Sequence, residues 1–318
     1  MWREGRKMIN MNDPITKPLG RRGVLALLGG VVAAGLLSTQ PARALGTSHS
    51  ALAFDGDALV VAGSQVWRFD PSGVASLLPE PRTPIRALAC HPDRRGRLFA
   101  ALEGGGLDRF DDGGRTWAAA SDGLPLAQVT ALAIAAGAPD TVYAALAGDG
   151  LWRSEDAGTS WSFVMDRPWL AEAEREVLTL ASVNLASGMG GIWIYAGTDQ
   201  GVTRVPDCFC RWQDVVAGDA MDALVAGTPP APEAPLPKGE PVSALVAAHS
   251  APERLYAALP SGIWVSADGG VVWENKSSLH AQALAVDQVD PNHIAADTNT
   301  ELKHSRDGGT TWATLAAL

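Results

Sequence analysis

The sequence has few cysteines and none of the common metal-binding patterns. Its three cysteines are Cys90, Cys208 and Cys210. There is no Cys-x-x-Cys pair, no pair of histidines four residues apart on a helix, and no calcium-loop spacing. These patterns supply the ligands of most structural zinc and calcium sites. The sequence therefore implies no metal site, and we expect no cofactor.

Long apolar runs are also lacking, except near the N-terminus. Residues 23–37 are apolar and follow Arg21 and Arg22, but they are too few to span a bilayer as a helix rising about 1.5 Å per residue. Residues 41–44 then place small side chains where a signal peptidase reads. This segment resembles a twin-arginine export signal, which implies export of the folded protein to the periplasm or the exterior. An ordinary secretory signal is the alternative.

Basic residues are scarce in the rest of the chain. We expect cleavage after Ala44, which separates a leader (1–44) from a mature chain (45–318), unless the leader is retained as an anchor. The leader holds seven of the 25 basic and two of the 35 acidic residues, so the mature chain has a net charge of −15. Because such a chain repels polyanions, nucleic acid and anionic lipid are poor candidate partners. No transmembrane span is expected after the leader.

An eight-residue motif repeats along the chain. Residues 154–161 share the spacing of their serine, aspartate, glycine and tryptophan with residues 266–273 and 305–312, and residues 110–117 lack only the serine. The four aspartate–tryptophan pairs are Asp112 and Trp117, Asp156 and Trp161, Asp268 and Trp273, and Asp307 and Trp312. Asp207 and Trp212 form a degenerate copy, and residues 68–73 form a copy without tryptophan.

The residues before each motif repeat as well, and each unit reads as four short strands separated by turns. The tryptophans lie 44, 51, 61 and 39 residues apart, close to the roughly 40–50 residues of a four-stranded propeller blade. The sequence therefore predicts an all-β fold, a single β-propeller of six blades beginning near residues 50, 84, 129, 177, 241 and 281. A seventh blade is possible only in the proline-rich residues 216–240, which lack strand alternation. The last repeat is complete, so the first and last blades can close the propeller without a swapped strand.

Each motif is expected to shape a turn. The aspartate can accept hydrogen bonds from turn amides, the glycine permits positive φ, and the tryptophan returns to pack on the sheet. The pattern resembles the Asp-box, or BNR-repeat, propellers, which include sialidases, some glycosidases, sortilin-type receptors and photosystem II stability and assembly factors. The resemblance covers nearly the whole mature chain, and it is specific for fold but weak for function.

The relatives in this group differ in their chemistry. Sialidases of this kind use a tyrosine nucleophile with an acidic partner, but Tyr143, Tyr195 and Tyr256 all occupy the same second-strand position of their repeats. That favours a place in the core. A carboxylate pair for glycoside cleavage has no positive support in the pattern. A glycosidase or sialidase-like enzyme acting on glycans is therefore the alternative to a non-enzymatic function.

Assembly factors of this group are single propellers that follow an export leader, which is the layout of this chain. The resemblance implies a protein that binds a protein partner and assists assembly of an envelope or membrane complex. A fixed subunit of a larger complex is a further possibility. In assembly factors an arginine-rich surface is thought to meet the client. Arginines of this chain concentrate at Arg82, Arg86, Arg94, Arg95, Arg97, Arg109 and Arg115. They form either a basic patch or a set of solvated loop charges.

Strand direction predicts two distinct faces. The boxes should lie on one, and the loops joining second to third strands should share the other with the blade-to-blade insertions 165–176 and 216–240. Trp169 in the first insertion is either an exposed aromatic anchor or packs on the adjoining blade, and the second insertion is expected to be a mobile, extended cover. Glu103, Asp149, Asp199 and Asp297 either ring the channel mouth, attracting a cation or a basic segment, or simply form turns.

The cysteines divide into two groups. Cys208 and Cys210 fall in the degenerate box, where the other copies have glycine, and in an oxidising compartment they either bridge that turn or remain thiols. Cys90 ends a first strand and is expected to be a buried apolar residue.

Overall fold

Each sequence repeat folds into an antiparallel sheet whose strands follow one another in chain order. The computed structural model describes residues 51–111, 116–185, 191–217, 225–229 and 232–317. The predicted leader, Asp112 and Arg115 lie outside the described residues. Six sheets form the blades of a β-propeller, which confirms the predicted all-β fold and the blade number.

The first three blades each have four strands. The first contains β1 (Ala51–Asp55), β2 (Ala58–Ala62), β3 (Val66–Phe69) and β4 (Ala75–Leu77). The second contains β5 (Ile85–Cys90), a 3₁₀ helix (Pro92–Arg94), β6 (Leu98–Leu102), β7 (Leu107–Phe110) and β8 (Ala118–Ala119). The third contains β9 (Val129–Ala135), β10 (Ala138–Leu146), β11 (Gly150–Ser154) and β12 (Ser162–Met165).

A small hairpin precedes the fourth blade. It contains β13 (Trp169–Leu170) and β14 (Ala173–Glu174). The fourth blade contains β15 (Thr179–Leu185), β16 (Gly191–Thr198) and β17 (Gly201–Pro206). The fifth contains β18 (Ala244–Ala248), β19 (Ala251–Leu259), β20 (Gly262–Ser266) and β21 (Glu274–Ser277). The sixth contains β22 (Ala283–Val286), β23 (Ile294–Asp297), β24 (Glu301–Ser305) and β25 (Ala313–Ala317).

The fourth blade differs from the others at its outer edge. In place of a fourth strand, Arg204 of β17 forms an isolated bridge with Gln213, and each backbone N–H donates to the carbonyl of the other, at 3.1 and 2.8 Å. Val215 then packs into the interface with the fifth blade. The degenerate box therefore belongs to a blade whose outer strand is reduced to one bridge.

Alternating side chains of each strand pack against the two neighbouring blades. In β9, Leu132 and Ile134 join the core shared with the second blade, whereas Ala131 and Ala133 join the core shared with the fourth. Because many of these residues are alanines, adjacent sheets approach closely. Leu52 of the first blade and Ala295 of the sixth belong to one cluster, so two complete blades close the propeller, as predicted.

The propeller has two faces and a central channel. The box face carries residues 154–161, 266–273 and 305–312, whereas the loop face carries the loops between second and third strands and the segments joining most blades. The first strand of each blade pairs on one edge only. The unpaired edges of β1, β5, β9, β15, β18 and β22 surround the channel.

The second insertion follows a different path from the one predicted. Ala234 forms a parallel bridge with Val272 of the fifth box, and the N–H of Trp273 donates to the Ala234 carbonyl at 2.8 Å. Leu236 is buried between the fourth and fifth blades. The expectation of a mobile cover on the loop face is therefore wrong for this part of the insertion, because it packs beside the fifth box.

Candidate functional site

The box aspartates bind their own turns. Asp156 accepts hydrogen bonds from the backbone N–H of Ser160 at 2.8 Å and from the hydroxyls of Ser154 and Ser160 at 2.8 and 2.6 Å. Asp268 and Asp307 accept equivalent bonds. Hydrogen bonds, led by those from the hydroxyls of Ser160 and Thr311, lower the pKa of Asp156 and Asp307 to about 2. These carboxylates are held ionised within the turns that they shape.

The box tryptophans connect the turns to nearby backbone. In the second, third and fourth blades the indole N–H donates to a carbonyl of the preceding blade or its C-terminal connection: Trp117 to Pro79, Trp161 to Ala120 and Trp212 to Asp166, at 2.9, 2.9 and 2.8 Å. Trp273 and Trp312 donate within their own boxes, to Gly270 and Gly309. Each of these five indoles thus donates its N–H to a backbone carbonyl, which satisfies the polar group of an otherwise apolar ring.

The fourth box is closed by a disulfide between Cys208 and Cys210, whose Cα atoms are 5.5 Å apart. Phe209 between them has φ of +52° and occupies the position of the second glycine in other boxes. Its ring lies 5.5 Å from the Arg153 guanidinium. Cys90, by contrast, donates its thiol to the Phe54 carbonyl, and burial raises the pKa of that thiol.

The three tyrosines are buried in the second strands of their blades, at the predicted equivalent positions. The Tyr195 hydroxyl donates to the carbonyl of Gly269 in the next box at 2.9 Å, and the Tyr256 hydroxyl donates to Pro291 at 2.6 Å. Burial raises the pKa of all three phenols, including Tyr143. Each tyrosine packs against the following blade and has almost no surface open to solvent.

The structure divides the arginine-rich segment between both faces. Arg94, Arg95 and Arg97 lie beside the 3₁₀ helix on the box face, where Arg97 pairs with Asp111 at 2.7 Å and with Asp140 at 2.5 Å. Arg94 also reaches Asp140. Arg95 is exposed and has no hydrogen bond or ion pair within the described chain. On the loop face, Arg82 pairs with the buried Asp108, and Arg86 lies at the channel mouth. Of these five arginines, Arg94 and Arg97 therefore connect the second blade to the third.

Three of the four candidate acids lie in loops of the loop face but do not line the channel cavities. Asp149 accepts a hydrogen bond from the Trp152 indole, and Asp199 accepts one from Arg175 at 3.4 Å. Glu103 borders a groove of about 370 Å³ that also contains Arg82 and Leu126. The three carboxylates thus have separate surroundings.

The first insertion displays Trp169 on hairpin β13–β14. The Trp169 side chain is 66% exposed. Ala171 and Glu172 form the two-residue turn with φ of +49° and +65°. Turns of this kind need positive φ at both central residues and usually contain asparagine and glycine. The local backbone is therefore strained, and contacts outside the turn must hold it.

Two arginines supply those contacts. Arg167 binds Glu174 and Glu176. Arg175 donates to the carbonyls of Leu170 and Ala171 at 3.0 and 3.1 Å and also reaches Asp199 of the fourth blade. Glu176 accepts a hydrogen bond from the N–H of Gly148 in the third blade. The hairpin is thus braced against blades on both sides. Sequence reasoning missed this bracing, although an arginine on either side of Trp169 was a visible signal.

Two cavities occupy the channel. The loop-side cavity has a volume of about 260 Å³ and the box-side cavity about 110 Å³. Both are lined by one leucine from each inner strand, termed the leucine level: Leu52, Leu88, Leu132, Leu180, Leu245 and Leu284. The cavities therefore lie on opposite sides of this level.

The box-side cavity contains the imidazole of His249, whose ring centroid is 4.7 Å from that of the buried His91. Burial, with a smaller contribution from His91, lowers the pKa of His249 to about 4. The two imidazoles are therefore held neutral near pH 7. Among the residues that the structure describes, no cluster of three or more histidine, cysteine, aspartate or glutamate side chains could hold a metal ion.

The described blades and channel define a six-bladed β-propeller. No family model and no curated protein matches the chain. In the described parts, no helix is long and apolar enough to cross a membrane. Solved structures resemble the chain at low sequence identity.

Three solved structures illustrate these resemblances. The GH74 xyloglucanase from Xanthomonas campestris has a TM-score of 0.52 at 19% identity, over 84% of this chain and 47% of that chain. The COPII outer coat vertex on membranes has a TM-score of 0.58 at 8% identity, over 85% and 74%. YCF48 bound to D1 peptide has a TM-score of 0.47 at 15% identity, over 86% and 87%.

The present chain spans about half the length of the xyloglucanase chain. Identities this low indicate a shared fold and do not assign a function.

Proposed function

We propose that this propeller is a non-enzymatic protein that binds a protein partner on its loop face, with Trp169 as the anchor. The exposed Trp169 ring on the braced hairpin carries the proposal. Tryptophan is among the residues most enriched at the energetic centres of protein interfaces. Because the hairpin is already fixed, binding orders little additional backbone, which lowers the entropic cost of association.

Leu126 extends the apolar part of this surface. It lies in the loop between β8 and β9, at the junction of the second and third blades, and its side chain is fully exposed. Trp169 lies at the next junction on the same face. Two large apolar side chains on neighbouring junctions give a partner two points of contact.

The charge around the hairpin selects the partner. Glu172, Glu174 and Glu176 belong to the hairpin segment, and Asp149 and Asp199 flank it. The arginines of this segment, Arg167 and Arg175, are already paired with carboxylates. Complementary potential favours a partner that surrounds an apolar pocket with basic residues.

The leader pattern supports action outside the cytoplasm. Export by the twin-arginine route would deliver the folded propeller to the periplasm or the exterior, and stabilising or assembling an envelope complex is the task that we propose there. Export is checked by locating the full-length protein in cell fractions after Arg21 and Arg22 are both replaced by lysine. Unchanged export would exclude the twin-arginine route.

The partner is tested by quantitative capture. Mature wild-type protein, Trp169→Ala and Phe163→Ala are immobilised separately, and extracted envelope proteins are compared by mass spectrometry. Phe163 is a matched aromatic control because it is 47% exposed on the outer strand β12. A specific partner should fall by about tenfold or more with W169A and persist with F163A. Equal capture by W169A would refute the anchor.

The glycosidase alternative has a separate readout. Aryl glycosides and sialosides are incubated with wild type and with Glu103→Gln, Asp149→Asn and Asp199→Asn. The proposal expects no turnover by any of them. Turnover that one of these substitutions abolishes would replace the binding function with an enzymatic one.

A further inference from the structure

The loop-side cavity has no part in the Trp169 surface. It is formed by the inner strands of all six blades, with the leucine level as its floor. Its walls include the alanines Ala51, Ala87, Ala131, Ala244 and Ala283. A volume of about 260 Å³ lies just below the roughly 300–1,000 Å³ of sites for drug-sized ligands. The cavity is therefore suited to a small molecule.

Arg86 is the one charged residue among the described residues that line this cavity. It is exposed, and within the described chain it forms no hydrogen bond or ion pair. Arg82, Arg167 and Arg175 on the same face are all bound to carboxylates. The guanidinium of Arg86 thus retains all five N–H donors for a ligand.

The other polar side chains of the lining differ in their availability. The Thr130 hydroxyl donates to the Val177 carbonyl at 2.7 Å, and the Ser243 hydroxyl donates to the Ala258 carbonyl at 3.1 Å. Gln282 is exposed, and its side-chain amide has no hydrogen bond within the described chain. The Thr179 hydroxyl accepts a hydrogen bond from the N–H of Leu245 at 3.1 Å. Arg86 and Gln282, from the second and sixth blades, are therefore the polar side chains of the lining that form no hydrogen bond within the described chain.

The rest of the lining is apolar. Leu178 is 38% exposed and lines the cavity above the leucine level. A guanidinium and an amide at the mouth of an apolar cavity match a molecule with one anionic end and an apolar body. The net charge of −15 on the mature chain opposes polyanions such as nucleotides. A single carboxylate suffers least from that repulsion and fits the planar guanidinium.

We propose that the loop-side cavity binds a small monocarboxylate with an apolar body, its carboxylate on Arg86 and Gln282 and its apolar part against Leu178 and the leucine level. The site is distinct from the partner surface because Trp169 does not line the cavity.

Calorimetric titration of the purified mature protein with three probes tests the ligand chemistry. Octanoate has the charge and the apolar body, octanamide has the body alone, and acetate has the charge alone. Octanoate should bind saturably with one molecule per chain, about tenfold more tightly than octanamide, because charge-assisted hydrogen bonds are lost with the amide. Acetate should not saturate over the same range. Equal binding of octanoate and octanamide, or no saturable octanoate binding, overturns the proposal.

Two matched variants test the residue. Arg86→Gln should weaken octanoate binding about tenfold, to the level of octanamide. Arg95→Gln is the control, because Arg95 is also exposed and unpaired within the described chain but lies on the box face. It should bind octanoate as wild type does. Neither substitution breaks a described contact, so both variants should unfold at the wild-type temperature. Wild-type affinity in R86Q refutes the site.

Trp169→Ala separates this site from the partner surface. It should leave octanoate binding unchanged even where it abolishes partner capture. Loss of octanoate binding in W169A would contradict a separate cavity site.

Discussion

The ring of Tyr143 in the third blade meets the ring of Phe209 in the fourth box edge to face, with centroids 5.9 Å apart. Phe209 makes this contact from a positive φ that the other boxes give to glycine. Such a conformation costs a residue with a side chain about 1–3 kcal/mol. Cys208 and Cys210 flank Phe209, and the disulfide between them holds that conformation. The fourth box therefore contacts the third blade through an aromatic pair.

Reduction of the disulfide should therefore loosen this junction. Once Cys208 and Cys210 separate, Phe209 can relax to negative φ and its ring leaves Tyr143. The unfolded chain gains the entropy of the opened loop and the folded chain loses the aromatic contact, and relief of the strain at Phe209 offsets only part of this. We expect a net loss of about 1–2 kcal/mol, seen as a fall in Tm of a few degrees when thermal unfolding is repeated with reductant.

The double variant Cys208→Ser/Cys210→Ser is the control. It should have the lower Tm from the outset and show no response to reductant. If wild-type Tm is the same with and without reductant, the disulfide does not hold Phe209 in place.

The box aspartates should contribute to acid sensitivity. The pKa of Asp156 and of Asp307 is about 2 in the folded protein, against about 3.9 in an unfolded chain. Their stabilising effect is therefore present above pH of about 4 and is lost as pH falls towards 2. Denaturant unfolding at a series of pH values should show Asp156→Asn/Asp307→Asn less stable than wild type at pH 6, with a smaller further loss on acidification.

Asp122→Asn provides the comparison, because Asp122 is an exposed aspartate outside the boxes. Its stability profile should follow that of wild type. If the free energy of unfolding of Asp156→Asn/Asp307→Asn falls with decreasing pH just as that of wild type does, these hydrogen bonds do not stabilise the folded state.

A side chain at Gly158 should lower the stability of the fold more than one at Gly148. Its φ is +85°, and a Cβ there would lie 2.9 Å from the Cβ of Ala120 in the second blade. Gly158→Ala adds this overlap to the strain of positive φ. Gly148 also has positive φ, at +71°, but no atom lies within 4 Å of its added Cβ. Gly148→Ala should cost about 1 kcal/mol, and G158A about 1–3 kcal/mol more. Equal free energies of unfolding would contradict the close approach of these blades.

Arg97 should contribute more to stability than Arg95. Arg97 joins Asp111 of the second blade to Asp140 of the third, and its side chain is 22% exposed. Both acids are nearly half exposed, so solvent weakens the pairs. Arg97→Gln should lower the free energy of unfolding by about 0.5–1 kcal/mol, and less in high salt. Arg95→Gln should have no measurable effect, and equal losses would refute the bridge.

The repeats predicted the blades because they depend on local chemistry. The serine, aspartate and glycine of residues 154–161 form a turn whose hydrogen bonds lie within a few residues. The spacing of such turns sets the size and number of blades. The same alignment of repeats correctly placed Tyr143, Tyr195 and Tyr256 at equivalent positions of the second strands.

Contacts between distant residues could not be read in this way. The sequence does not show that Arg97 pairs with Asp140. Nor does it show that Arg175 donates hydrogen bonds to backbone carbonyls of the preceding β13–β14 turn. The path of Ala234 beside the fifth box depends on a strand edge left open in the folded blade. Arginines that are close in sequence therefore lie on opposite faces of the propeller. Only the packing of the folded chain shows which of their guanidinium groups are paired with carboxylates and which are free.

Closure of the propeller by two complete blades has a consequence for the order of events during synthesis. Leu52 packs against residues near Ala295, so this seam can form only after nearly all of the chain has left the ribosome. Until then one side of the first blade is bare, and contacts between such distant segments form slowly. The nascent protein thus has a period of vulnerability to aggregation that ends with its last blade.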